Sequence, residues 1–248
     1  MVLKKNIPAS LSVEMLAEFA AGAGHDLNNP LAAIGGRVQL LLQSETDAAK
    51  RYDLAAILAQ VKRAQAMIAD LRQIARPPLL EKKDVALRAF LERLGEDFQP
   101  ECDERKIVWS LLWEPAGEVV LGADPSQLHG IFQALIRNSL RAMANAGTLE
   151  IRVAARAKKV EIRVTDTGHG IAEEIRPLIF DPYYSSYQSG RGLGFGLTKA
   201  RIFARLHGGE VVLESGEPGA TTFLVTLPGG LPGMCKPTPH PGQGRPEA

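Results

Sequence analysis

This sequence is poor in cysteine: Cys102 and Cys235 are its only two, far apart in the chain. That excludes a disulfide framework and argues against a zinc site, leaving two free thiols in a reducing cytoplasm as the expectation. Net charge is also lacking, at a formal +1. No general field therefore draws the chain to nucleic acid or to an anionic membrane. No apolar run approaches the ~20 residues that a membrane helix needs. The opening stretch, Met1 to Pro8, has no hydrophobic signal-peptide region. What is present is 248 residues with 45% hydrophobic and 23% charged side chains, a globular composition.

Three textures follow one another. Residues 1–9 form a short lead. From Ser10 to Arg76 the spacing predicts two helices. The first carries Leu11, Met15, Phe19, Ala23, Leu27, Leu31, Ile34, Val38 and Leu41 at intervals of three and four, one apolar stripe. Ser44-Glu45-Thr46-Asp47 breaks it. The second carries Leu54, Ile57, Leu58, Val61, Ala64, Ile68, Leu71 and Ile74, and Pro77-Pro78 ends it as a stiff linker. A lone hairpin cannot cover both stripes. Two hairpins paired into a four-helix bundle can, so a homodimer is expected.

Residues 77–228 read as mixed α/β. A helix is expected from Val85 to about Cys102, and another from Pro125 to Ala144 with Asp124 as its N-cap. Strands are expected near 107–112, 118–121, 148–155, 160–165, 210–214 and 221–227, and a helix near 197–206. Two adjacent strand pairs look like hairpins, which predicts a mixed sheet with helices on one face. The Gly- and Pro-rich residues 229–248 are expected to be disordered.

On the first helix stands Gly24-His25-Asp26-Leu27-Asn28-Asn29-Pro30-Leu31. His25 lies about 200° around the helix from Leu27, away from the apolar seam. The small residues 21–24 leave its imidazole approachable. Asp26 can accept a hydrogen bond from Nδ1–H and so leave Nε2 with a free lone pair, as a nucleophilic imidazole needs. Asn29, four residues on, shares the face of His25. Pro30 cannot donate to the Asp26 carbonyl, and a kink is expected there. A solvated helix histidine needs none of these neighbours.

This segment, from Phe19 to Leu31, resembles the H-box of bacterial sensor histidine kinases, particularly a nitrogen-regulator-like branch with an N-N-P-L ending. The resemblance implies that His25 is the autophosphorylation site, that Asp26 assists transfer, and that Asn29 orients water when a partner is dephosphorylated.

Four further segments follow in the order this family requires. Gln133 to Ala142 resembles its N-box: Asn138 can offer a neutral oxygen to Mg²⁺, and Arg141, one turn on, can meet phosphate oxygens. Ala134 departs from the pattern, where many relatives carry a second asparagine. Val164-Thr165-Asp166-Thr167-Gly168-His169-Gly170-Ile171 resembles the first glycine box. A carboxylate at a strand end can accept from an exocyclic amine, and Gly168 and Gly170 let backbone approach closely. The resemblance implies that Asp166 reads adenine. Ile179-Phe180-Asp181-Pro182-Tyr183-Tyr184-Ser185-Ser186 resembles the F-box, with Tyr183 and Tyr184 where relatives usually carry two phenylalanines. Tyr187 stands where they often place a lysine, and Arg191 is the nearby substitute. Gly190-Arg191-Gly192-Leu193-Gly194-Phe195-Gly196-Leu197 resembles the second glycine box, its amides exposed to phosphate before a helix N-terminus. A dinucleotide fold also uses such glycines, but there they follow the first strand.

The resemblance thus implies a helical hairpin dimerising into a four-helix bundle, then an α/β sandwich binding ATP and Mg²⁺. It also implies a response-regulator receiver domain as partner. A phosphatase-biased regulator or scaffold is the alternative that the departures at Ala134 and Tyr187 leave open. The stimulus would come from an upstream sensor protein or domain.

Overall fold

The computed structural model describes residues 9–143, 145–156, 158–182, 184 and 194–229, with side chains from Asp26 onward. They fall into two compact units. One comprises the chain up to Leu79 together with Glu174–Phe203; the other comprises Leu80–Glu173 and the chain from Ala204.

The first unit is built on two long helices, α1 (Ala9–Ser44) and α2 (Ala48–Ala75). The expected polar break is a three-residue connection, so the helices run antiparallel. Asp47 starts α2 by accepting from the N–H groups of Ala49 and Lys50 at 2.8 and 3.2 Å. Arg51 satisfies the end of α1 by donating to the carbonyls of Leu42 and Glu45. The helices approach closely at Gly35, where a Cβ would lie 3.4 Å from Val61. Val38, Val61 and Ile74 are buried. Leu27, Ile34, Leu41 and Ile57 are not: each is about half exposed, at 47, 46, 54 and 47%.

The second unit has a five-stranded sheet in the order β2-β4-β5-β7-β6: β2 (Ile107–Trp113), β4 (Gly147–Arg156), β5 (Lys159–Asp166), β6 (Glu210–Glu217) and β7 (Ala220–Pro228). β2 pairs parallel with β4, and every other pair is antiparallel. Both expected hairpins, β4-β5 and β6-β7, are present. α3 (Leu87–Glu104) packs on β2, and α4 (Pro125–Ala142) on β4 and β5. The core lies between: Leu87, Leu91, Phe132, Leu135, Ile151, Val164 and Phe223 are fully buried. The other sheet face is charged and laced with ion pairs, as in Arg163 with Glu214 and Arg152 with Glu150.

One expectation is corrected here. Val85 is not helical. It lies in a short strand, β1 (Lys83–Ala86), opposite Leu121 of β3 (Val120–Ala123), and the helix begins only at Leu87. A β-branched residue before the helix fits a strand, and tertiary pairing overrode the apolar periodicity that ran on from it. The 3₁₀ turn Glu173–Leu178 was also not anticipated.

Candidate nucleotide and phosphoacceptor sites

β5 alternates strictly: Val160, Ile162 and Val164 point into the core. Asp166 is next in that parity, so the strand carries a carboxylate to a position an apolar residue would fill. It has no exposed surface. Its Oδ1 accepts the Gly168 N–H at 2.9 Å. Its Oδ2 is buried without a hydrogen-bond partner. Two hydroxyls share this condition: Ser139 Oγ on α4 and Thr221 Oγ1 on β7, whose backbone lies opposite Asp166. Burial pushes the Asp166 carboxyl above its ordinary range, and Ser139, Gly168, His169 and Thr221 pull back without restoring it. The Ser139 and Thr221 hydroxyls are thus close enough to act on the charge, yet neither has a well-formed bond to it.

Such a site asks for a donor. A neutral exocyclic amine would satisfy Oδ2 without burying a second charge, and the hydroxyls can turn to serve either a donor or an acceptor. A purine amine fits the residues present. The role of Ser139 and Thr221 was not read from the sequence. The only signal was an acid placed in the apolar parity of a strand, which demands polar company.

The two glycines of the turn have more specific reasons than close approach to a base. A Cβ on Gly168 would lie 2.7 Å from both the Ala142 Cβ and Asp166 Oδ1. Gly170 has φ +81° and packs on the backbone of Pro218 and Gly216. The turn is further pinned by the Gly219 N–H donating to the Gly168 carbonyl and by the His169 N–H donating to the Ala142 carbonyl. The glycines therefore hold Asp166 against the end of α4.

Asn138 and Arg141 lie on α4, half-buried and exposed respectively. Asp124 caps this helix with a buried carboxylate, accepting from Ser126 and Gln127. Arg105 closes the other end by donating to the carbonyls of Leu140 and Met143. Both termini are thus fixed, and with them Asn138.

The remaining expected nucleotide contacts divide. Arg191, Gly192 and Leu193 lie outside the described residues, as do Tyr183, Tyr187 and Cys235. Phe180, Gly194 and Gly196 belong to the first unit. The Phe180 carbonyl accepts from Thr198 Oγ1 at 2.9 Å, and the Arg201 guanidinium lies 4.9 Å over the Phe180 ring. These bonds fix Phe180 against α5 (Gly196–Leu206). Gly194 has φ +73°, and a Cβ there would fall 2.0 Å from the Tyr184 carbonyl oxygen, so no other residue fits. On α5, Lys199 pairs with Asp70 of α2.

His25 lies on α1. Asp26 and Asn29 lie beside it on the same helix, and both are exposed. Pro30 is inside the helix. Among the described residues no helix is long and apolar enough to cross a membrane.

Comparison with known proteins adds to this geometry. Residues 15–78 match the model of the His Kinase A (phospho-acceptor) domain, and residues 123–231 that of the histidine kinase-, DNA gyrase B- and HSP90-like ATPases. The chain is 31% identical over 222 residues to the sensor protein FixL of Bradyrhizobium diazoefficiens, covering 86% of this chain and 43% of that protein. It spans about half or less of the length of the curated relatives it matches. A crystal structure of full-length ShkA in complex with AMPPNP shares its fold at TM-score 0.75 and 22% identity, over 86% of this chain and 46% of that one. The histidine kinase ThkA in complex with the response regulator protein TrrA does so at 0.64 and 21%, over 88% and 63%.

Proposed function

We propose that this chain, which carries the two domains of a sensor histidine kinase core, transfers the γ-phosphoryl group of ATP to its own His25 and then to an aspartate of a response-regulator receiver domain. The observation that carries this reading is the buried Asp166 oxygen with no partner, held by a glycine turn against the helix of Asn138, in a chain whose first helix includes His25.

Asp166, Ser139 and Thr221 would hold the adenine edge, and Gly168 and Gly170 keep the carboxylate in place. Arg141 and the amides of Arg191, Gly192, Leu193, Gly194 and Gly196 would meet the phosphates, with Phe180 held against α5 by Thr198 and Arg201. Asn138 would present its amide oxygen to Mg²⁺, which supplies charge neutralisation on the phosphate oxygens. His25 Nε2 forms the new bond to phosphorus as the bond to the bridging oxygen of ADP breaks. Asp26 holds Nδ1–H and offsets the positive charge that develops on the ring. Most of the barrier reduction is positional and electrostatic, as phosphoryl transfer generally requires. Asn29 would orient water in the reverse, dephosphorylating reaction. The N-N-P-L ending supports a nitrogen-regulator-like branch.

The exposed Leu27, Ile34 and Leu41, seven residues apart on α1, and Ile57 on α2 support a homodimer. We take residues 10–76 as the dimerisation and phosphotransfer part, 77–228 as the ATP-binding part and 229–248 as a tail. A cytoplasmic location, with input from an upstream sensor, completes the reading. The ThkA–TrrA complex supports a receiver domain as partner.

The test is incubation with γ-labelled ATP and Mg²⁺ beside His25→Gln and Asn138→Ala. Acid-labile, alkali-stable label on the wild type and on neither variant is expected. No label despite ATP binding would move the weight to the phosphatase-biased or scaffold reading.

A further inference from the structure

Asp124 does more than cap a helix. It follows β3 directly, and the residue is 8% exposed. Oδ1 accepts from Ser126 and Gln127 at 2.9 and 3.1 Å, the two bonds that start α4. Oδ2 accepts from the backbone N–H of Glu81 at 3.1 Å, 43 residues earlier in the chain. Its own N–H donates to Nε2 of His207, just beyond α5, at 3.0 Å. That bond requires Nε2 to be unprotonated, and His207 is itself buried. Burial alone would raise the Asp124 carboxyl, but the N–H groups of Glu81, Gln127 and Ser126 hold it below the ordinary carboxylate range. The group is ionised and fully engaged.

Glu81, at the entry of the chain into the second unit, is held there by its bond to Asp124. Leu79, two residues before it, is 91% exposed. β1 begins two residues after it. The reach of the linker is therefore set at Glu81, by a carboxylate whose other oxygen positions the helix of Asn138.

We propose that Asp124 is a positioning residue that couples the interdomain linker to the N-box helix, with His207 as its second anchor. This rests on the autophosphorylation reading. With Glu81 held to Asp124, the stretch between Pro77-Pro78 and this tether is only a few residues long. In an intramolecular transfer the effective concentration of the reacting groups falls roughly as the −3/2 power of the free length. Releasing Glu81 therefore slows phosphoryl transfer to His25 and leaves nucleotide binding as it was.

Asp124→Asn separates the two roles. Asparagine caps helices about as well as aspartate. Its amide nitrogen cannot accept from Glu81 while its oxygen serves Ser126 and Gln127. The full-length variant and wild type are compared for kcat and the KM for ATP in autophosphorylation, with backbone hydrogen exchange read at Glu81, Ser126 and Gln127. The expected result is kcat down by about twofold or more, KM for ATP within about twofold, exchange protection lost at Glu81 and kept at Ser126 and Gln127. Unchanged kcat with Glu81 deprotected overturns the coupling. Unchanged protection at Glu81 overturns the tether. A raised KM at constant kcat overturns it too, by making Asp124 a support of the nucleotide site alone. These outcomes all presuppose labelled wild type. An unlabelled wild type removes the autophosphorylation reading and this inference with it.

Discussion

The two regions of this molecule treat the same problem, what to do with apolar surface, in opposite ways. In the α/β unit the helices and the sheet bury each other, and Leu87, Leu91, Phe132, Leu135 and Val164 are out of reach of solvent. The hairpin buries Val38, Val61 and Ile74 but leaves Leu27, Ile34, Leu41 and Ile57 about half exposed. A two-layer sandwich completes itself, because a sheet face and helix faces are broad enough to match. Two helices have only one line of contact, and a stripe wider than that line needs further helices. The lesson concerns division of labour. The self-sufficient unit keeps its polar surprise, Asp166, inside, and the incomplete unit keeps its apolar surplus outside.

The comparison breaks most sharply at Phe132, whose ring meets Phe90 at 6.1 Å inside the sandwich. Phe132→Ala should cost the α/β unit about 3–5 kcal/mol. Denaturant titration with nucleotide binding as one probe and far-ultraviolet helicity as another should show the first transition move well below the second. Coincident transitions would mean that the two units do not stand independently.

The next effect is on the hairpin. Ile34→Glu with Leu41→Glu places two charges in the exposed stripe, against a loss on the order of 1–3 kcal/mol of burial for each side chain in a dimer. Light scattering should report monomers, while ATP binding is kept. A variant that remains dimeric would remove this stripe from the interface.

The smallest effect sharpens the contrast between the two buried carboxylates of the α/β unit. Asp166→Asn should weaken ATP binding about 10- to 100-fold, the value of a charged hydrogen bond, yet raise the melting temperature of the nucleotide-free protein at neutral pH. The sign follows from linkage. The Asp166 pKa is raised on folding, so its favourable contribution is complete below the ordinary carboxylate pKa and is lost as pH rises through the raised value. Asp124 runs the other way. Its pKa is lowered, so its contribution is present above the ordinary value and is lost as pH falls through the folded one. Calorimetry across acid to neutral pH should show Asp166→Asn removing the loss on the neutral side. A variant no more stable than wild type at neutral pH would mean that Asp166 is not ionised against its environment.

Much of this was legible in advance. The break at 44–47, the end of the second helix at Pro77-Pro78, the helix starting at Pro125 and both strand hairpins followed from periodicity and from residues with fixed backbone habits, which act locally. Val85 was misread because a strand of four residues exists only through its partner, β3, and leaves no period of its own. The site divided along the same line. His25, Asn138 and Asp166 stood out as residue types in a pattern. Ser139 and Thr221 did not, because hydroxyl residues are common everywhere and become informative only when buried beside a carboxylate without a partner of their own.

The sequence alone determined the two long helices, the helix that starts at Pro125, both strand hairpins and the surplus of apolar residues on the helical hairpin, since each follows from local spacing and side-chain type. Only the tertiary structure decided that Oδ2 of Asp166 is left without a donor, that Gly168 and Gly170 serve packing, and that one carboxylate, Asp124, joins Glu81, the start of α4 and His207. Those are meetings between residues tens of positions apart, and burial and hydrogen-bond partnership at such distances are set by how the layers close rather than by any local preference of the chain.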